Sequence, residues 1–140
     1  MLARVADTIA DSKHGETDVL LNALENYKQS THNRELEIPD FTEIANIQEN
    51  ENEAELLRNV SDVIEALSAY DDGDQELMLE CLDIIISGQT LDLQRFGIAK
   101  EGGEISSLSN DEELDDYAYR VAGCVGVFWT KMSIKHIISI

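Results

Sequence analysis

Two carboxylates near the start of the chain, Asp7 and Asp11, have the type and spacing that could bind a metal ion. Together with Arg4 they are spaced i, i+3 and i+7, which places the three side chains on one face of a helix predicted over residues 1–12. Carboxylates one helical turn apart repel each other unless a cation lies between them, and Mg²⁺ typically takes one or two carboxylates plus substrate phosphates. The pattern predicts a divalent-metal site; a chance pairing on a surface helix is the alternative.

A second candidate is Tyr117, which begins a run of small residues and tyrosines, YAYRVAGCVG, over residues 117–126. The small residues predict a helix that packs closely against its neighbours. Four side chains at helical spacing are expected on one face: Tyr117, Val121, Cys124 and Phe128. A tyrosine on such a face is usually a core residue with a bonded hydroxyl, and a tyrosine facing a reaction cavity is the alternative.

The third candidate run is GQTLDL over residues 88–93, inside a long apolar segment. A glycine in the middle of a helix costs about 1 kcal/mol against alanine, so Gly88 is expected to serve close packing or access. Asp92 lies three residues before Arg95, so these two side chains could pair with each other, or Asp92 could serve a site.

The elements that would position these residues are helices. Of the 140 residues 43% are hydrophobic, aliphatic helix formers dominate, and a single proline leaves long runs free to be helical. The length suits one domain with a modest core, so we predict a single all-α domain over residues 1–140.

Apolar periodicity places the helices along the chain. It predicts them over residues 1–12, 18–29, 40–47, 54–70 and 75–96, with a last helix from about residue 111. The helix over residues 75–96 is apolar on nearly all sides near its middle, which predicts a central position. Ser109 with Glu112 predicts a capping box before the last helix.

Charge and cysteine content exclude several classes of function. The formal net charge of −19 excludes nucleic acid as a partner, because phosphate binding needs a cationic surface, and it disfavours adsorption to anionic membranes. Cys81 and Cys124 are expected to be reduced thiols, and the three histidines lack zinc-ligand spacing. No run of 18 apolar residues is present, so no membrane-spanning helix is expected. These features predict a cytoplasmic protein.

Three runs, taken in order, resemble the motifs of the squalene/phytoene synthase family. The run RVADTIAD, residues 4–11, is similar to the family's first aspartate-rich motif: an arginine, two residues and DxxxD. Residues 88–93 resemble its Gly-x-x-Met-Asp-Leu run, with Leu91 in place of methionine. Residues 117–126 resemble its YCYxVAGxVG run, with Ala118 in place of cysteine, and the resemblance covers nearly the whole chain.

The resemblance implies an isoprenoid-synthase-type helical bundle and the head-to-head condensation of two prenyl diphosphates, commonly farnesyl diphosphate. The product would be of squalene or phytoene type, formed through a cyclopropyl diphosphate. By motif match, Asp7 and Asp11 would hold Mg²⁺ on a substrate diphosphate. Arg4 would touch the diphosphate or brace the acids, Asp92 would also bind substrate, and Tyr117 would be the catalytic residue facing the reacting carbons. Peripheral contact with a membrane through the lipid product is a further expectation.

The family also has a helix before the first motif and a second aspartate-rich motif after the YxxxVAGxVG helix. Neither is found in residues 1–140, so we expect a partial domain, an incomplete bundle and a chain that is inactive alone. A partner chain that supplies the missing half is one expectation. The alternative is a non-catalytic helical fragment or subunit derived from the family, and a generic acidic interaction protein is the third interpretation.

Overall fold

The chain folds into helices that follow its apolar periodicity. A computed structural model describes residues 1–95 and 110–138 in full, and the backbone of residues 96–100. The helices are α1 (Leu2–Ala10), α2 (Thr17–His32), α3 (Thr42–Asn46), α4 (Glu51–Arg58), α5 (Val60–Glu65), α6 (Asp72–Lys100), α7 (Asp111–Ala118) and α8 (Cys124–His136). A 3-10 turn (Ala66–Ala69) follows α5, and a π-helical turn (Tyr119–Gly123, the π turn) joins α7 to α8. These ranges contain no strand, which confirms the all-α prediction.

Helix α6 is the central element. It packs against α1, α2, the π turn and α8, and its Leu82, Ile86 and Leu93 lie in the apolar core. The helix begins at Asp72, earlier than expected, because the side chain of Asp71 accepts a hydrogen bond from the backbone N–H of Asp74 at 2.8 Å and so caps its first turn. The prediction of a central helix over residues 75–96 is confirmed.

Side chains from α1 and α2 form the most deeply buried part of the core. Val5, Ile9, Leu24 and Tyr27 have no exposed surface. The Tyr27 hydroxyl donates a hydrogen bond to the backbone oxygen of Leu2 at 2.9 Å, which fastens α2 to α1. Burial raises the pKa of Tyr27, so its phenol stays protonated and remains a donor. The face of α1 opposite its acids is therefore fixed.

The helix predicted over residues 54–70 is broken, and this prediction is wrong in detail. Asn59 separates α4 from α5 with φ −104° and ψ 24°. Its side-chain amide donates to the backbone oxygen of Glu55 at 2.9 Å. A side chain that bonds the local backbone in this way competes with the helical pattern, which is the physical reason for the break.

The last helix begins behind a different cap from the one expected. Asn110 is the N-cap, and its side-chain oxygen accepts a hydrogen bond from the backbone N–H of Glu113 at 2.8 Å. The predicted capping box includes Ser109, which lies outside the described residues.

Helix α6 and the last helix, which comprises α7, the π turn and α8, contact each other along their lengths. Residues later in α6 contact residues earlier in the last helix. Gly88 approaches Arg120, Asp92 meets Tyr117, and Glu80 pairs with Lys131. Near the start of α6, Lys135 bonds Asp71 and Asp74 at 2.6 Å each, and His136 contacts Asp74 at 2.7 Å. The two elements are therefore antiparallel, and ion pairs join the start of α6 to the end of α8. Among the described residues, none of the helices has both the length and the apolar character needed to cross a bilayer.

We expect Tyr27→Phe to lower the free energy of unfolding by about 1 kcal/mol, because it removes a buried hydrogen bond and keeps the ring. Urea unfolding followed by circular dichroism measures the change. Tyr70→Phe is the control, since Tyr70 is half-exposed and should change stability by less than about 0.5 kcal/mol. Equal losses in both variants would contradict the role given to the Tyr27 hydroxyl.

The contact of Asp74 with Lys135 makes part of the stability acid-sensitive. Hydrogen bonds from Lys135 and then His136 lower the pKa of Asp74 below its usual value. A carboxyl whose folded pKa is lowered stabilises the fold above its unfolded pKa, about 4, and loses that contribution as the pH falls further. We therefore expect Asp74→Asn to lower the melting temperature at pH 7 and to lose less on acidification from pH 6 to pH 3 than the wild type. The exposed Asp62→Asn is the control, and parallel pH curves for all three proteins would refute the expectation.

Candidate functional site

The candidate site is built where α1 crosses α6. Asp7 lies on α1, half-buried, and its carboxylate accepts a hydrogen bond from the side-chain amide nitrogen of Gln89 on α6. The residues on either side of Asp7, Ala6 and Thr8, are buried, so α1 holds the carboxylate at the boundary between the core and solvent. This contact joins two of the runs that the sequence singled out.

The electrostatic surroundings of Asp7 disfavour its charge. Burial raises the pKa of Asp7, and the neighbouring charge of Asp11 raises it further. Arg4 and the Gln89 hydrogen bond act in the opposite direction. A divalent cation beside Asp7 and Asp11 would relieve both the burial and the repulsion, so the pair is suited to binding one.

Asp11 and Arg4 lie on the exposed side of the same helix. Asp11 follows the last residue of α1, and its backbone N–H still bonds the Asp7 carbonyl at 2.8 Å, so the two acids are one turn apart as predicted. The Arg4 guanidinium forms an ion pair with Glu53 of α4. Asp11 lines a surface depression with Lys13, His14, Gln48 and Glu53, among other residues.

The residues around Asp7 fit a magnesium ion. In the ranges described above, no three His, Cys, Asp or Glu side chains gather where they could hold a metal. Mg²⁺ does not need such a cage, because it keeps several waters and takes phosphate oxygens beside one or two carboxylates. The side-chain oxygen of Gln89 is also buried without a hydrogen-bond partner among the described residues. Leaving such an acceptor unpaired costs about 1–3 kcal/mol, so this position favours a polar ligand.

A second cluster forms around Tyr117. Its hydroxyl donates a hydrogen bond to Asp92 at 3.0 Å, and the guanidinium of Arg95 lies 5.8 Å from the centre of its ring. Burial raises the pKa of Tyr117, the Asp92 carboxylate raises it further, and Arg95 opposes them. The phenol is therefore held protonated and oriented, and the Asp92 carboxylate is hydrogen-bonded to Tyr117, while Arg95 lies over the tyrosine ring.

Helix α6 carries both clusters on neighbouring turns. Gln89 and Asp92 are spaced i, i+3 and so lie on one face of this helix. The structure brings Asp7 to Gln89 and Asp92 to Tyr117. Of the residues predicted for the site, Arg4 and Asp11 are exposed to solvent.

The close approach of α6 to the last helix depends on Gly88. A Cβ atom there would lie 3.1 Å from the Cβ of Arg120 and 3.5 Å from a methyl of Val121. Gly88 therefore serves close packing, which is one of the two roles that its position in the sequence predicted.

The four side chains expected on one face, Tyr117, Val121, Cys124 and Phe128, all lie against α6. Tyr117 bonds Asp92, Val121 lies beside Gly88, and Cys124 and Phe128 line a surface depression together with side chains of α6. Their burial differs, since Cys124 is 2% exposed and Val121 is 44% exposed. The π turn lies between Tyr117 and Cys124 and interrupts the regular α-helical spacing there.

Gln89 is the site residue that the motifs did not assign. It lies within the GQTLDL run, but an uncharged amide has no chemistry of its own that would select it. The available signal was its position, three residues before Asp92 and next to a mid-helix glycine. Its partner Asp7 is 82 residues away along the chain, so the contact appears only in the fold.

Comparison with known proteins gives one match. A family model described as squalene/phytoene synthase matches residues 1–136 of the 140. No curated protein and no solved structure matches the chain. The matched range contains all three runs, RVADTIAD, GQTLDL and YAYRVAGCVG.

We expect Gly88→Val to lower the free energy of unfolding by about 1–3 kcal/mol, because the new side chain must displace the backbone of the π turn. Chemical denaturation measures the loss. Gly126→Val is the matched control: a Cβ at Gly126 meets no atom within 4 Å, so the substitution should be neutral or slightly stabilising. A loss at Gly88 no greater than that at Gly126 would show that the close approach does not matter.

Proposed function

Since the chain belongs to the squalene/phytoene synthase family, we propose that it is part of an enzyme that catalyses the head-to-head condensation of two prenyl diphosphates, and that it is inactive alone. Farnesyl diphosphate is the proposed substrate, and the product is of squalene or phytoene type, formed through a cyclopropyl diphosphate. The observation that carries the proposal is the half-buried Asp7, one turn from Asp11 and bonded to the same α6 face that meets Tyr117.

The reaction sets two physical demands that these residues suit. A diphosphate leaves only when its negative charge is neutralised, and the carbocation that remains must be shielded from water. Asp7 and Asp11 are the proposed magnesium ligands. The chemistry supplied by bound Mg²⁺ is neutralisation of the diphosphate charge, which makes the diphosphate a better leaving group.

Arg4 is the proposed cationic partner of the diphosphate. It lies three residues before Asp7 on the same helix, and its guanidinium already pairs with a carboxylate, Glu53. Exposed ion pairs of this kind contribute little to stability, so Arg4 could exchange Glu53 for a phosphate oxygen at small cost.

Tyr117 is the proposed catalytic residue and Asp92 its partner. The raised pKa of Tyr117 keeps the phenol protonated, and the hydrogen bond to Asp92 sets the direction of the hydroxyl. This arrangement suits a hydroxyl that handles a proton beside the reacting carbons, or a ring that stabilises the carbocation. Asp92 then acts on the substrate by orienting Tyr117.

A non-catalytic helical module or subunit derived from the same family is the second candidate. The observation that favours it is the lack, among the described residues, of any group of three His, Cys, Asp or Glu side chains arranged to hold a metal ion. A partner chain that supplies further acids, and contact with a membrane surface through a lipid product, are proposals of the same kind. Exposed apolar side chains on and after α8 are consistent with a covered face: Val127, Trp129, Ile134 and Ile137.

The test is conversion of farnesyl diphosphate by the full-length gene product in the presence of Mg²⁺. We expect a C30 product or its cyclopropyl diphosphate precursor, and a rate lowered roughly 100-fold or more by Asp7→Asn or Asp11→Asn, because either change removes a charge that holds the ion. Product formation is measured by chromatography and mass spectrometry. Asp18→Asn, an exposed acid outside the site, should keep the wild-type rate.

The outcomes separate the two candidates. Product formation that survives Asp7→Asn would refute the role given to this acid. If the full-length gene product forms no compound of squalene or phytoene type, but binds Mg²⁺ together with inorganic diphosphate through Asp7, the non-catalytic module is favoured.

A further inference from the structure

We propose that Gln89 is a positioning residue of the Asp7 site, whose amide nitrogen fixes the Asp7 carboxylate and whose amide oxygen accepts a hydrogen bond from a water in the hydration shell of the bound ion. This inference rests on the proposed function, because it requires a divalent ion at Asp7 and Asp11. Gln89 touches a ligand of the ion and is not itself assigned to the reacting atoms.

The side-chain nitrogen of Gln89 is already hydrogen-bonded. A carboxylate can only accept hydrogen bonds, so the NH₂ group of Gln89 must be the part that faces ionised Asp7, as it does in the structure. A neutral donor fixes the orientation of a carboxylate without cancelling its charge. The charge of Asp7 is therefore left available to a cation.

The side-chain oxygen of Gln89 is the polar atom of this amide whose burial the described part of the chain does not explain. It is buried and has no donor among the described residues, although it belongs to the group that bonds Asp7. The two polar atoms of one carboxamide are joined to the same carbon, so this oxygen stays beside the Asp7 site. Mg²⁺ retains several waters when one or two carboxylates hold it, and such waters are strong donors. A hydrogen bond from one of them would pair the oxygen.

The backbone around Gln89 is rigid enough to hold this position. Gly88 is buried and packs directly against the π turn, so α6 cannot rotate at this point without a clash. Leu93, one turn further, is in the core. The amide is thus presented by a fixed helix rather than a loop, which is the condition for a useful outer contact to a metal site.

The test measures metal binding directly. Mn²⁺, a paramagnetic substitute for Mg²⁺, is titrated into the chain with inorganic diphosphate present, and free Mn²⁺ is read by electron paramagnetic resonance. We expect Gln89→Met, which keeps length and removes both polar atoms, to weaken Mn²⁺ binding roughly 10- to 100-fold. Gln89→Asn, which keeps the amide but shortens its reach, should also weaken it. Gln94→Met, an exposed glutamine on the same helix, is the matched control and should bind as the wild type does.

Melting temperatures distinguish a positioning role of Gln89 from a purely structural one. We expect the metal-free melting temperature of the Gln89 variants to stay close to that of the wild type, and the rise on adding Mn²⁺ and diphosphate to shrink. Unchanged affinity in both Gln89 variants, with Asp7→Asn losing binding, would overturn the inference and leave the proposed function standing. A lowered melting temperature with unchanged Mn²⁺ affinity would also overturn the inference, because it would show that Gln89 has a structural role only. A wild-type chain without Mn²⁺ binding would overturn both proposals.

Discussion

The arrangement of the last third of the chain depends on one close contact, between α6 at Gly88 and Arg120 of the π turn. A side chain at position 88 would occupy the space that the π turn fills, so the absence of a Cβ sets the separation of the two helices. Contacts on both sides follow from it: Asp92 meets Tyr117 one turn away, and Cys81 approaches the backbone oxygen of Cys124 at 3.8 Å in the other direction. The ion pair between Glu80 and Lys131 is exposed and adds less than this packing does.

The same constraint explains how residues from distant runs share a site. Helix α1 is too short to hold its place by its own hydrogen bonds, and it is fixed by burial of Val5 and Ile9. Helix α6 contacts α1 and the π turn alike. A shift of α6 would therefore disturb the Asp7–Gln89 contact and the Asp92–Tyr117 contact together. The two clusters are mechanically linked through α6, which carries one member of each.

Features that depend on residues close together in the chain could be predicted from the sequence, and features that depend on tertiary contacts could not. The one-turn spacing of Asp7 and Asp11 is local, and helical periodicity was enough to give it. The central place of α6 could also be predicted, since an apolar segment must be covered on several sides. The break at Asn59 could not, because it arises from competition between one side chain and the backbone. The Asp7–Gln89 contact required the tertiary fold, and no property of an amide would have selected it.

The π turn has a consequence for how the last helix tolerates changes of length. An i→i+5 turn holds one residue more than an α-helical turn, so it offsets the later side chains by roughly the 100° that one residue occupies. Tyr117 and Cys124 both contact α6 across this turn. Deleting one residue from Tyr119–Gly123 would give an unbroken α-helix in which Cys124 and the segment after it keep their orientation toward α6, because the residue and its offset are removed together. The π turn is therefore the place in the last helix where the loss of one residue is best tolerated.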